Sequence, residues 1–350
     1  MSESKTNENR VITIYDIAKE AGVSAATVSR VLTNSANVRP EKKEKVLKLI
    51  QKYNFKPNAL ARGLSDTRSK VIGIVVADIR NPYYAQMFVA CEVAADKAGY
   101  TVLLCNSFGQ KEKENEQLDK LQEQRVDAII QLGGASDDLI PDPEYVEHVK
   151  RLLHSIPVII TGKLEGTDCY CVQIDSMKAM DLLMEHLIEL GHREIGLVGG
   201  RLDVYSTLEK VQRYKQILQK NQITYREELV EPSETYDNES AYLKMNEMFE
   251  NGRIPTAIIA INDFSAAGIM RSILEHGYRI PEDISLVSYD NTYITELLQP
   301  NLTSIDYNYE RYGEVLVETA IAAVEGKEIP KLQLVCPTLV VRESSGAVKV

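Results

Sequence analysis

The sequence predicts an α/β protein: an N-terminal all-α helix-turn-helix module followed by a two-lobed core of parallel doubly wound sheets. Three observations carry this prediction. Residues 13–32 read as two short helices about a glycine turn, apolar strand-length runs alternate with helices from Val71 onward, and charge is divided unevenly between the two regions.

In the module, Thr13 and Asp16 have the spacing of a capping box. Gly22 stands where a helix end wants a left-handed residue, and Ser24 is placed to cap a second helix from Ala25. Ile17, Ala18, Ala21, Val23, Val28, Val31 and Leu32 can share a small core, which leaves Ala26, Ser29, Arg30 and Thr33 on the outer face of the second helix. A short helix presenting Ser, Arg and Thr beside a tight turn suits a DNA major groove; a helical hairpin with a solvated polar face has the same pattern.

Beyond the polar stretch 34–39, Pro40 opens a third helix to about Tyr53, with Val46, Leu47, Ile50 and Tyr53 as its apolar stripe. Its lysines (Lys42, Lys43, Lys45, Lys48, Lys52) suit phosphate contact or plain solvation equally. Residues 57–64 can form a short helix, but Gly63 weakens it by up to about 1 kcal/mol relative to alanine, and so short a helix needs a partner. Residues 65–70 read as a polar linker.

With 350 residues, 44% hydrophobic and 26% charged, the chain has the composition of a globular protein long enough for more than one domain. It contains no apolar run of membrane-spanning length, and its polar first ten residues lack a signal peptide's apolar core, so a cytoplasmic protein without membrane partners is expected. The five cysteines (Cys91, Cys105, Cys169, Cys171, Cys336) are odd in number. Cys169 and Cys171 lack the two-residue gap of metal and redox motifs, so buried reduced thiols are expected.

The net charge of −11 argues against nucleic acid only if it is uniform. Residues 1–70 carry 14 Lys and Arg against 7 Asp and Glu, whereas the remainder carries 26 against 44. A basic module on an acidic body points to nucleic-acid binding by the module alone.

From Val71, strands are expected over 71–77, 101–105, 127–132 and 158–161, with helices over 82–98, 111–124 and 144–153. A second set begins near Val172, with helices over 178–190, 207–220, 238–250 and 265–276 and strands over 194–198, 257–261 and 284–288. Buried strands alternating with helices predict parallel sheets, and two successive arrays predict two lobes with a cleft between them. Ligands lie beyond the carboxyl ends of such strands, so the loops after Ala77, Thr161, Val198, Ile261 and Ser288 are the expected cleft.

The chain resembles the LacI/GalR family of bacterial transcription regulators from about Thr13 to Ser345. The motifs that carry the resemblance begin with Thr13-Ile-Tyr-Asp-Ile-Ala, Ala21-Gly-Val-Ser-Ala-Ala-Thr-Val-Ser-Arg-Val-Leu32 and Pro57-Asn-Ala-Leu-Ala-Arg-Gly-Leu64. They continue with Asp78-Ile-Arg-Asn-Pro-Tyr-Tyr84, His186-Leu-Ile-Glu-Leu-Gly-His-Arg193, Gly199-Gly200, Ala260-Ile-Asn-Asp263, Ser288-Tyr-Asp-Asn291 and Pro300-Asn-Leu-Thr-Ser-Ile305. The resemblance implies a DNA-binding domain over 1–57, a hinge helix and linker over 58–70, and an effector core over 71–350 similar to periplasmic sugar-binding proteins. Lobe 1 is then expected at about 71–172 and 303–332, and lobe 2 at about 173–302 and 333–346, with strands after Pro300 returning to the first lobe.

The resemblance also implies roles. Tyr15, Ser24, Ala25, Ala26, Thr27, Ser29 and Arg30 match positions that touch an operator, where Arg30 can reach guanine or phosphate. Asn58, Ala61, Arg62 and Leu64 fall in the hinge, and Leu64 matches a leucine that wedges a minor-groove step in a dimer. Ala25-Ala26 replaces larger base-reading residues and leaves the operator sequence open.

Asn81, Tyr83, Tyr84, Lys210, Asn262 and Asp290 match effector contacts, an aromatic and hydrogen-bonding set suited to a sugar. Lys210 departs from a common arginine, and Gly162-Lys163 from a common Asp-Arg pair, which alters the pocket. A saccharide effector is the first expectation; a nucleobase-like ligand or a protein co-regulator is the alternative.

The five histidines (His148, His154, His186, His192, His276) form no metal-ligand pattern, and neither a phosphate loop nor a nucleophile elbow is present, so no enzyme and no cofactor is expected. A bare ligand carrier would lack the basic module. The expectation is a dimeric, operator-binding, effector-controlled regulator, most simply a repressor.

Overall fold

The computed structural model describes residues 12–32, 38–55 and 68–349. It divides into two compact units, Met1–Ser69 and Lys70–Val350.

The first unit holds α1 (Ile14–Ala21), α2 (Ala25–Leu32) and α3 (Pro40–Lys52). The capping box forms at the start of α1: the Thr13 hydroxyl accepts from the Asp16 N–H at 3.4 Å, and the Thr13 N–H donates to the Asp16 carboxylate at 2.9 Å. Gly22 ends the helix at φ +66°, and the Val23 N–H closes back onto the Ala18 carbonyl at 3.0 Å. That left-handed conformation crowds any Cβ, which is why the turn takes glycine.

Ile17, Ala18, Val28, Val31 and Val46 form the buried centre of this unit, packed by Leu49, Ile50 and Phe55. Leu47, expected in the apolar stripe, is instead 46% exposed. Positions 46, 49 and 50 share one helical face, and 47 lies a step of about 100° off it.

In the second unit, the first sheet comprises β1 (Val71–Val76), β2 (Thr101–Asn106), β3 (Ala128–Leu132), β4 (Val158–Ile160), β5 (Tyr170–Ile174) and β11 (Leu332–Val335). Its order is β11-β5-β4-β3-β1-β2, and every pairing is parallel. Helices α4 (Pro82–Lys97), α5 (Lys111–Glu123), α6 (Pro143–Leu153) and α12 (Tyr309–Val324) cover it.

The second sheet comprises β6 (Ile195–Val198), β7 (Val230–Glu231), β8 (Ala257–Ala260), β9 (Ser285–Asp290), β10 (Thr303–Asp306) and β12 (Thr338–Val340). Its order is β12-β10-β9-β8-β6-β7, parallel except for β12 against β10. It packs against α7 (Ser176–Glu189), α8 (Tyr205–Lys220), α9 (Asn238–Glu250) and α10 (Asp263–Glu275), with the short α11 (Ile294–Leu297) near its carboxyl edge.

The lobe boundaries differ from those expected. Residues 303–306 extend the second sheet beside β9, because Thr303, Ser304 and Ile305 are fully buried there. The chain returns to the first lobe only with α12, whose Tyr312 and Leu316 enter that lobe's core. Strand β11 then pairs with β5 in the first sheet through Val335, so 333–335 lie in lobe 1 rather than lobe 2. Val172 also sits mid-strand in the first sheet, which runs on to Ile174. Alternation alone registers that a strand exists, not which sheet receives it.

All five cysteines are free. Cys91 and Cys169 are buried, Cys105 and Cys171 half-buried, and Cys336 is exposed, on the crossing from β11 to β12 between the two sheets.

Candidate DNA surface and effector cleft

The DNA-facing candidates lie on α1, α2 and the turn between them. Tyr15 is 74% exposed, and Ser24, Ala26 and Arg30 are exposed as well. Ser24 does cap α2: its hydroxyl accepts from the Thr27 N–H at 3.2 Å and lies 3.0 Å from the Thr27 hydroxyl. Ser24 and Thr27 therefore shape the helix start as well as line its end. Ala25 packs toward the module's core, while Thr27 and Ser29 are half-buried.

Two of the lysines in question are held within the module. Lys48 pairs with Glu44 at 2.9 Å, and Lys52 with Glu20 at 2.8 Å, where the Tyr53 hydroxyl also donates at 2.7 Å. The first lies within α3; the contacts to Glu20 bind the end of α3 to the end of α1. Thr33 and the hinge candidates Asn58, Ala61, Arg62 and Leu64 lie outside the described residues.

The core contains a cavity of about 1040 Å³ at the carboxyl ends of both sheets, and its lining includes all six effector candidates. Asn81 and Asn262 begin α4 and α10 as N-caps. The Asn81 side chain accepts from the Tyr83 N–H at 3.1 Å, and that of Asn262 from the Ser265 N–H at 2.7 Å while its amide donates to the Tyr236 carbonyl at 3.2 Å. Each caps a helix while lining the cleft.

Tyr83 and Tyr84 meet edge-to-face at 5.0 Å, and Tyr83 also stands 6.0 Å from Tyr307. Burial raises both phenols well above their ordinary pKa, so they remain neutral donors. Lys210 lies 4.6 Å over the Tyr289 ring, and burial lowers its pKa against the opposing pull of Asp290 and Asp137. Asp290, 6% exposed and at φ +99°, has its carboxyl raised by burial and by Asp263, with Lys210 opposing.

Asp263 turns away from the cavity. It accepts from the Ser288 hydroxyl, from the Ser304 hydroxyl at 2.8 Å, and from the Thr292 N–H and hydroxyl at 2.6 and 3.0 Å. It thereby fixes the turn that follows Asp290.

Apart from Lys163, the cleft residues that join the two lobes were not anticipated from the sequence. The loop after β3 carries Asp137, whose carboxylate crosses to the second lobe and accepts from the Ser206 hydroxyl and from the Ser206 N–H at 3.3 Å. Beside it, the Leu139 N–H donates to the Asp203 carbonyl at 2.9 Å, and the Lys163 ammonium to the Tyr205 hydroxyl at 2.7 Å. Beneath the same loop, the buried Glu114 accepts from Gln131 and Tyr145, each at 2.6 Å, and from the Ala135 N–H at 3.2 Å. Burial pushes the Glu114 carboxyl up to about 7.

Among the described residues no His, Cys, Asp and Glu cluster could hold a metal ion, and no helix is long and apolar enough to cross a membrane. The cleft is equipped to hydrogen-bond and to stack, the chemistry of reversible binding.

Comparison with known proteins places both parts. Residues 13–58 match the model of bacterial regulatory proteins of the lacI family, and residues 184–345 match a periplasmic binding protein-like domain. Catabolite control protein A of Staphylococcus epidermidis is 32% identical over 331 residues, and that of Staphylococcus aureus 33% over 332, each spanning 93% of this chain and 96% of the relative. Among solved structures, the lac repressor dimer bound to operator and the anti-inducer ONPF superposes with a TM-score of 0.85 at 28% identity, covering 97% of this chain and all of that one. The complex of the transcriptional regulator CelR with cellobiose gives 0.70 at 25% identity, covering 95% and 100%.

Proposed function

The chain belongs to the lacI family of bacterial regulatory proteins and is a DNA-binding transcriptional regulator, not an enzyme; from that premise we propose a cytoplasmic repressor that binds a near-palindromic operator as a homodimer under the control of a saccharide in the interlobe cleft. The observation that carries the reading is the pairing, in one chain, of a helix that exposes Ala26 and Arg30 with a tyrosine-lined cavity of about 1040 Å³.

On this reading Tyr15, Ser24, Ala25, Ala26, Thr27, Ser29 and Arg30 meet the operator, and Asn58, Ala61, Arg62 and Leu64 form the hinge contacts. Arg30 supplies base or phosphate recognition, and the alanines offer only methyl contact, for instance to thymine. Asn81, Tyr83, Tyr84, Lys210, Asn262 and Asp290 hold the effector. Tyrosine faces suit the apolar face of a sugar ring, and carboxylates suit its hydroxyls.

An exposed apolar strip on lobe 1 supports the homodimer. Leu104 on the edge strand β2 points to the sheet face that α4 covers, and α4 itself exposes Val89 and Val93, so this edge presents an apolar surface that a monomer has reason to cover. Across such a dimer, an effector that favours one interlobe geometry shifts the population of DNA-competent hinge arrangements.

Thermal melting of the full chain against a panel of mono- and disaccharides and of purines tests the effector assignment. A sugar that raises the melting temperature and changes operator affinity is the expected result. Stabilisation by purines alone would replace the saccharide with a base-like ligand stacked on the same tyrosines.

A further inference from the structure

The charges of the cleft are not balanced. Its lining contains ten Asp and Glu against five Lys and Arg. Four of those cations already hold carboxylates: Arg80 grips Asp78 at 2.6 and 2.9 Å, Arg201 grips Asp203 at 2.6 and 3.0 Å, Lys111 reaches Asp142 at 3.1 Å, and Lys163 reaches Glu165 at 3.0 Å.

The fifth, Lys210, lines the cavity together with Asp137 from the first lobe and Asp290 from the second, and feels the charge of both and of the adjacent Glu209. Two lobes thus bring two carboxylates to one ammonium in a site walled by Tyr83, Tyr84 and Tyr236.

Resting on the effector-cleft reading above, we propose that this cleft selects its ligand by charge, admitting neutral and amine-bearing saccharides and excluding phosphorylated or carboxylated ones, with Asp137 and Asp290 as the specificity-determining residues. Burial pushes the Asp137 carboxyl up to about 6, and burial and the neighbouring Asp263 raise Asp290 as well, which marks negative charge poorly compensated by its surroundings. Sugar hydroxyls or an ammonium supply the missing donors. A phosphate brings further negative charge into a desolvated site where like charges repel strongly and no unpaired guanidinium is at hand to clamp it.

The test uses the full chain and isothermal calorimetry at pH 8, where Asp137 is ionised. Two matched sets serve as probes: glucose, glucosamine and glucose 6-phosphate, and galactose, galactosamine and galactose 6-phosphate, with inorganic phosphate as a further ligand. In any set that binds, the phosphate ester is expected to be weaker than its parent sugar by at least about tenfold, or about 1.4 kcal/mol. The amino sugar is expected to match or exceed the parent.

The double variant Asp137→Asn/Asp290→Asn is expected to gain binding of inorganic phosphate that the wild type lacks. Asp137→Asn alone, whose amide oxygen can still accept from Ser206, repeats the test should the double variant fold poorly. A wild type that binds a phosphate ester as tightly as its parent sugar, or that binds inorganic phosphate, overturns the proposal. If neither set binds, the saccharide reading fails on its own. The phosphate arm then still decides the charge claim, because a wild type and variants that are equally inert contradict it.

Discussion

The Asp137 carboxylate of the first lobe accepts from both the hydroxyl and the N–H of Ser206, in the first turn of α8 in the second lobe. The residue at the start of that helix, Val204, has no side-chain oxygen to cap it, so the cap is supplied across the cleft. Helix capping and lobe closure are here the same contact.

Asp137→Ala is therefore expected to cost about 1 kcal/mol of closure, the usual worth of a lost N-cap. Small-angle scattering of the effector-free chain checks this. A larger radius of gyration and faster hydrogen exchange in the first turn of α8 are expected, with little change in either sheet.

Gly22→Val forces a β-branched side chain to φ +66°. The strain of a left-handed non-glycine residue, about 1–2 kcal/mol, falls on the helix-turn-helix module alone. Calorimetry should show the core transition unmoved while operator binding weakens.

Glu114 makes core stability depend on pH. Its carboxyl is raised to about 7 in the folded protein, above the ordinary value near 4.5, so the folded state binds the extra proton between those values. The stability that Glu114 contributes is fully present below about 4.5, is lost as pH rises through that window, and is gone above about 7. The shift corresponds to about 3 kcal/mol. Burial raises Asp137 and Asp263, each to about 6, and adds to the same trend. In Glu114→Gln, urea unfolding is expected to show a flatter profile between pH 5 and pH 8, at the cost of imperfect pairing with Gln131 and Tyr145.

Arg30→Ala removes an exposed cation from the outer face of α2. Specific operator affinity is expected to fall by about 1–3 kcal/mol with the module's melting temperature nearly unchanged. A uniform loss across all sequences, with a reduced salt slope, would assign Arg30 to phosphate instead of a base.

Leu104→Lys places a charge on the exposed edge strand of lobe 1, on the sheet face shared with α4. Sedimentation is expected to show a shift toward monomer and a loss of operator binding, while the purified core keeps its fold.

Much of this was legible in the chain itself. Thr13, Gly22 and Ser24 act locally, so their spacing alone told where α1 ends and α2 begins. The six cleft candidates converge because each follows a strand end or lies on a helix that starts at one.

What was not legible depends on distance. Asp137 and Ser206 are 69 residues apart, and the loop after Leu132 opens with two glycines that advertise no ligand chemistry. Asn81 and Asn262 are effector candidates from the sequence, yet the structure gives both side-chain oxygens to helix caps and one Asn262 amide hydrogen to the Tyr236 carbonyl. Thr303–Asp306 and Leu332–Val335 are both four-residue strands, and the distant partners they pair with, β9 in one sheet and β5 in the other, separate them.

Selection of operator DNA from random duplexes by the full chain tests the central claim most directly. Enrichment of a near-palindromic site bound by two copies, with affinity altered by the cleft's effector, is the predicted result. Enrichment of no symmetric site, or binding by a single copy, would contradict it.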